Sequence, residues 1–178
     1  MKQTNIFQLI SSILRETGTS CVLIGGFAVN YYKVTRQTAD VDFLITKEDF
    51  EKTRGLFERA GYKQEFTQEI FARLNSTKGS LLDIDFMFID KETLGEIIKS
   101  GKKINLAEEE FIIPCLNHLI ALKLHSLKYN FKIREFKDLP DIIHLIRMNK
   151  VDYKSKTFRE LCLKYGTKEL YNRILHSV

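Results

Sequence analysis

Leu23-Ile-Gly-Gly-Phe-Ala28, followed by Arg36-Gln-Thr-Ala-Asp-Val-Asp42, is the stretch on which the reading of this chain turns. Cys21-Val-Leu-Ile24 is a short apolar run ending at Gly25-Gly26, the pattern of a buried strand entering a tight turn. Phe27 to Val34 reads as a helix, and Asp40 to Ile45 as the next strand. Side chains alternate along a strand, so Asp40 and Asp42 share one face while Val41, Phe43 and Ile45 take the other. Aspartate is a poor strand former and like charges on one face repel. An edge strand with a solvated face would accommodate one such pair.

A second pair argues for more. Asp83-Ile84-Asp85 lies in another strongly apolar strand, Leu81 to Ile89. Were the two strands neighbours, three or four carboxylates would converge, and such a cluster needs cations or shared protons. Hard oxygen donors suit Mg2+ or Mn2+. Gly25-Gly26 opens a helix, so its amides can face an anion, and the missing Cβ lets a phosphate come close. Alone, the pair describes any tight strand-to-helix turn. Followed by Asp-x-Asp on the next strand, it joins an anion cradle to a metal site, the combination phosphoryl transfer requires.

Outward from this centre, residues 4 to 16 form an amphipathic helix stopped by Gly18, and Glu48 to Ala60 a charged helix closed by Gly61. Phe66 to Leu74 alternates loosely, Lys78-Gly79-Ser80 is a turn, Thr93 to Lys99 a short helix and Phe111-Ile-Ile113 a last extended piece. After Pro114 the pattern is helical: 116–129, 139–149, 155–164 and 167–176. Strands early and helices late predict an α/β (α+β) core over 1–113, a small mixed sheet flanked by helices, with a helical region over 114–178 packed on it. Lys123 interrupts an apolar helix face at Leu119, Ile120 and Leu127, so its ammonium must meet a carboxylate or a phosphate, or snorkel to the surface. Asp138-Leu-Pro-Asp141 reads as a helix start, with Asp138 as cap and Pro140 in the first turn.

The Gly-Gly and Asp-Val-Asp motifs together resemble the signature of the DNA polymerase β-type nucleotidyltransferase superfamily. Leu119-Ile-Ala-Leu-Lys-Leu124 and Arg134-Glu-Phe-Lys-Asp-Leu-Pro-Asp141 resemble its branch of minimal and abortive-infection-toxin-like members. The resemblance implies the nucleotidyltransferase fold and transfer of a nucleoside monophosphate to an acceptor hydroxyl on a small molecule, an RNA end or a protein. It also implies a toxin held by an antitoxin, or a non-catalytic nucleotide-binding module, as alternatives. Asp40 and Asp42 become metal ligands, with Asp85 as the third because Asp85-Phe-Met matches the family pattern; Asp83 is the fallback. Gly25, Gly26, Arg36 and Lys123 become nucleotide-binding residues, and Lys137, Asp138 and Asp141 take places around the site. Gly26 departs from the many relatives with serine there, so no hydroxyl is offered to the triphosphate.

The 178 residues suffice for one good core, and 44% hydrophobic with 29% charged residues is ordinary for a globular protein. No apolar run reaches the roughly 20 residues of a membrane span, and the start does not read as a secretory signal. Cys21, Cys115 and Cys162 lie far apart, which predicts reduced thiols in a cytoplasmic protein. The net charge of +5, with lysines spread along the chain, permits nucleic acid as a partner without demanding it.

Overall fold

The computed structural model describes residues 5–79 and 81–178, so Thr4 of the first expected helix and Ser80 of the expected turn lie outside the described residues. The chain divides into two compact units. One comprises the residues up to Phe27 together with Gln37–Cys115, the other Ala28–Arg36 with Leu116–Val178.

The first unit is built on a mixed sheet. It opens with helix α1 (Ile6–Thr17), held at its start by a reciprocal capping box between Asn5 and Gln8 and ended by Gly18 at φ +62°. Strand β1 is only Val22–Leu23 and leads straight into helix α2 (Gly25–Tyr31), which begins two residues earlier than the sequence suggests. Strand β2 (Asp40–Ile45), helix α3 (Lys47–Arg59), and strands β3 (Tyr62–Thr67), β4 (Phe71–Ser76) and β5 (Asp83–Phe88) follow. The sheet order is β1-β2-β5-β4-β3, with β2 and β5 parallel and the other pairs antiparallel. Thus β5 is inserted beside β2, which is what brings the two aspartate pairs into register. Val41, Phe43, Ile84 and Phe86 are buried on these two strands, and Phe86 meets Phe43, Phe50 and Phe57 at ring separations of 5.9, 5.2 and 5.6 Å. Each such ring contributes roughly 1.5–3 kcal/mol by leaving water.

Helix α4 (Lys91–Ser100) then precedes a hairpin of β6 (Lys102–Leu106) and β7 (Glu109–Ile113). The expected extended piece at 111–113 is therefore half of a two-stranded element. Its turn, Ala107-Glu108, has φ of +52° and +68° at both positions, the conformation that twists with the strands but is usually assigned to Asn or Gly.

The second unit is helical: α5 (Leu116–Met148), α6 (Lys156–Tyr165) and α7 (Lys168–Ser177). Helix α5 is broken at Asn130 (φ −134°, ψ 38°) and then runs on without interruption through Pro140. This corrects the expectation that a helix starts at 139 behind an Asp138 cap. Pro140 removes one donor, which would have bonded the carbonyl of Phe136; Phe136 is 87% exposed, so solvent can take that role. Asp138 and Asp141 are instead buried and drawn into an ion cluster. Among the described residues, no helix is long and apolar enough to cross a membrane.

Candidate active site

Parallel pairing sets Asp40 opposite Asp83 and Asp42 opposite Asp85. From these four, the structure gathers three. Asp40, Asp42 and Asp85 each offer a carboxylate oxygen, and these oxygens all lie within 4.8 Å of one another. Asp85 is buried, the other two half-buried. Asp83 is engaged elsewhere. Its Oδ1 accepts a 2.8 Å hydrogen bond from the Ser76 backbone N–H, closing the β4–β5 hairpin. Its charge, after burial, also holds the Tyr62 hydroxyl well above the ordinary tyrosine range.

Two residues that the sequence reading did not single out complete this site. Antiparallel register places Arg73 of β4 opposite Asp85. Its Nε donates to Asp85 Oδ1 at 2.7 Å and its Nη2 to Oδ2 at 2.5 Å, with Nη2 also 3.9 Å from Asp40 Oδ2. The hydrogen bonding that Arg73 donates to Asp85 is the largest cause holding this guanidinium above even the usual arginine range. Thr38 donates from Oγ1 to the Asp40 carbonyl (3.0 Å) and lies 3.2 Å from Asp40 Oδ1. Arg73 is the one basic residue of β4, and only the pairing of β4 with β5 marks it. Nothing local marks Thr38 beyond its place two residues before Asp40.

The two glycines are imposed by these neighbours. A Cβ on Gly25 would lie 1.8 Å from Asp42 Oδ2, and φ there is +62°. A Cβ on Gly26 would lie 2.6 Å from Thr38 Cβ. The turn is bare because a carboxylate and a threonine press on it, before any phosphate is considered.

The charge balance tests whether a cation fits. Three carboxylates and one guanidinium leave a formal charge of −2 among these four side chains. All the converging donors are hard oxygens. That donor set and that surplus fit a divalent ion of the magnesium or manganese kind.

Within the helical unit a second cluster forms. The Lys123 ammonium, 6% exposed, lies 2.8 Å from Asp138 Oδ1 and 2.7 Å from Asp141 Oδ2. Arg36 Nη1 reaches Asp141 Oδ2 at 2.6 Å, and its backbone exchanges two hydrogen bonds with the Asn30 side chain. Burial opposes ionisation of Asp138, but the charge and hydrogen bond of Lys123, with Arg134, outweigh it and bring its pKa below the ordinary aspartate value. The lysine on the apolar helix face is thus met by two carboxylates. Lys137 is half-buried and makes no ion pair among the described residues.

A mixed five-stranded sheet that presents three carboxylates from adjacent parallel strands beside a Gly-Gly turn defines the chain as a DNA polymerase β-type nucleotidyltransferase. More particularly, the family model described as "Uncharacterised nucleotidyltransferase" matches residues 1–178, and the chain belongs to that family of enzymes. Among solved structures, it is similar to the antibiotic-resistance factor ANT(2'')-Ia, with a TM-score of 0.64 at 15% identity over 94% of this chain and 92% of that one. The lincosamide antibiotic adenylyltransferase LnuA superimposes with a TM-score of 0.54 at 15% identity, over 82% and 99% of the two chains. An antigenic nucleotidyltransferase-like protein from Paracoccidioides brasiliensis gives 0.55 at 14% identity, over 97% and 91%. At such identities the likeness is one of fold. No curated protein matches the chain.

Proposed function

We propose that the chain transfers a nucleoside monophosphate from a nucleoside triphosphate to an acceptor hydroxyl, with divalent metal held by Asp40, Asp42 and Asp85. The observation that carries this is the approach of three carboxylate oxygens to within 4.8 Å of one another. ANT(2'')-Ia, seen in complex with adenylyl-2''-tobramycin, and the adenylyltransferase LnuA support such chemistry for this fold.

The acceptor oxygen forms a bond to the α-phosphorus, the bond from that phosphorus to pyrophosphate breaks, and the acceptor proton leaves. Asp85 takes that proton: each of its oxygens keeps a lone pair beyond the one occupied by Arg73. Bound magnesium or manganese would neutralise charge on the acceptor oxygen and on the leaving pyrophosphate. Arg73 fixes the orientation of Asp85, and Thr38 that of Asp40. The amides at Gly25 and Gly26 steady the phosphates. Within the helical unit, Arg36 and Lys123 are held by Asp141 and Asp138.

Incubating the chain with each α-labelled triphosphate, magnesium and cell extract, against Asp40→Asn/Asp42→Asn, tests the reading. Label transfer is expected from the wild type alone. Equal labelling by both proteins would remove these aspartates from the chemistry.

A further inference from the structure

The acidic site already contains a cation, the Arg73 guanidinium, and the chain offers that guanidinium a second carboxylate. Arg73 engages both oxygens of Asp85, through Nε at 2.7 Å and Nη2 at 2.5 Å, and Nη2 lies 3.9 Å from Asp40 Oδ2. Its charge therefore sits beside two of the three carboxylates that would hold a divalent ion. Like charges repel. A dication entering the triad must either tolerate the guanidinium nearby or displace it. The side chain is 38% exposed, so packing does not fix it on every side.

Strand β3 supplies the alternative partner. Its pairing with β4 runs Tyr62 to Ser76, Lys63 to Asn75 and Gln64 to Leu74, and in unbroken register would next set Glu65 opposite Arg73. A one-residue shift intervenes. Phe66 takes the place opposite Arg73, and Glu65 becomes the extra residue of a bulge, a device that re-aims side chains beside functional sites. A diagonal neighbour on an adjacent strand remains within reach of long side chains. Glu65 is exposed and forms no ion pair among the described residues. Its charge nonetheless acts on Arg73. Behind the hydrogen bonding to Asp85 and the charges of Asp85 and Asp40, it also raises the pKa of the guanidinium, against the opposing effect of burial.

We propose that Arg73 is an internal counter-ion that competes with divalent metal, and that Glu65 receives its guanidinium when metal takes Asp85 and Asp40. This rests on the metal site proposed above and gives Glu65, two strands away from Asp85 in the sheet, a positioning role in it. In the free chain Arg73 relieves the repulsion among the carboxylates. In the loaded chain the metal does so, and Arg73 with Glu65 forms an exposed ion pair.

Mn2+ affinity, read by calorimetry on the full chain without triphosphate, tests this apart from catalysis. A dication and a guanidinium about 5 Å apart, screened nearly as in water, repel enough to weaken binding about tenfold. Arg73→Gln should therefore bind Mn2+ about tenfold more tightly than the wild type. Arg73→Lys keeps the charge and should bind more weakly than Arg73→Gln. Glu65→Gln removes the waiting partner and should weaken binding about threefold, the size of one exposed ion pair. In the Arg73→Gln background the same change should have no effect, because no guanidinium remains to be received. Circular dichroism checks that each variant stays folded. If orientation of Asp85 were all that Arg73 supplies, the sign would reverse and Arg73→Gln would bind Mn2+ more weakly. That result, unchanged affinity in Arg73→Gln, equal tightening in Arg73→Lys, or an equal effect of Glu65→Gln in both backgrounds would overturn the proposal and leave the metal site standing. Mn2+ binding absent from the wild type, or equal in wild type and Asp40→Asn/Asp42→Asn, would overturn the metal site itself and this inference with it.

Discussion

Lys123→Met removes the cation at the centre of the buried cluster and leaves a side chain of similar length. In the wild type the ammonium holds Asp138 and Asp141 together at 2.8 and 2.7 Å, with all three groups buried. After substitution, Asp141 keeps Arg36, while Asp138 keeps Arg134 at 3.9 Å and its hydrogen bond with the Ser126 side chain. Breaking one side of such a pair leaves an uncompensated charge and costs about 3–5 kcal/mol. The retained arginines place the expectation at the lower end, about 3 kcal/mol. For a chain of this size that lowers the melting temperature by roughly 6–12 °C. The pH dependence has a definite sign. The folded pKa of Asp138 is depressed, so its ionised form adds stability above the unfolded value of about 3.9, and that stability is lost as pH falls through the folded pKa. Without Lys123, burial favours the protonated acid, so the deficit of the variant is greatest near neutrality and narrows on acidification. Thermal unfolding followed by circular dichroism at a series of pH values measures both. A shift below about 2 °C at pH 7, or a deficit that widens as pH falls, would refute the view that this cluster is a desolvated ionic network.

Gly25→Ala and Gly18→Ala form a matched pair, since both residues have φ +62° but only Gly25 has Asp42 against its missing Cβ. Gly18→Ala should cost about 1–2 kcal/mol of stability from the left-handed backbone and Gly25→Ala more, because its Cβ also meets Asp42, and only Gly25→Ala should abolish Mn2+ binding, read by calorimetry. Equal metal affinity in the two would mean that Asp42 is free to move aside. Thr38→Val keeps the shape against Gly26 and removes the hydroxyl from Asp40. Mn2+ affinity is expected to fall about fivefold and to recover in Thr38→Ser, the size of one modest hydrogen bond; no loss in Val would make Thr38 a packing residue only.

What the sequence disclosed and what it concealed divide by the range of the interaction. Asp40 and Asp42 were legible because alternation on a strand is local, and Asp85 because a second acidic pair in an apolar run is hard to explain without a neighbour. Strand alternation does not choose between Asp83 and Asp85; the choice of Asp85 rests on the resemblance of Asp85-Phe-Met to the family pattern, and its physical reason is not local. Asp83 sits directly opposite Asp40, yet its carboxylate bonds the Ser76 amide, a partner defined only once the hairpin has closed. The same holds for Arg73, whose meaning depends on β4 lying against β5 in one register out of several. The hairpin of β6 and β7 was half hidden because Ala107-Glu108 carries none of the usual residues for a turn with φ above zero at both positions. The segment 131–138 was hidden for the opposite reason. Asp138 and Pro140 form a strong local start signal, and the buried pairing of Asp138 with Lys123, fifteen residues upstream, overrides it. Residue types proposed the chemistry through short-range pattern, and long-range electrostatics then chose among the candidates. The acidic site is therefore best probed by substitutions that alter partners, Arg73 and Thr38, as much as by those that delete the carboxylates themselves.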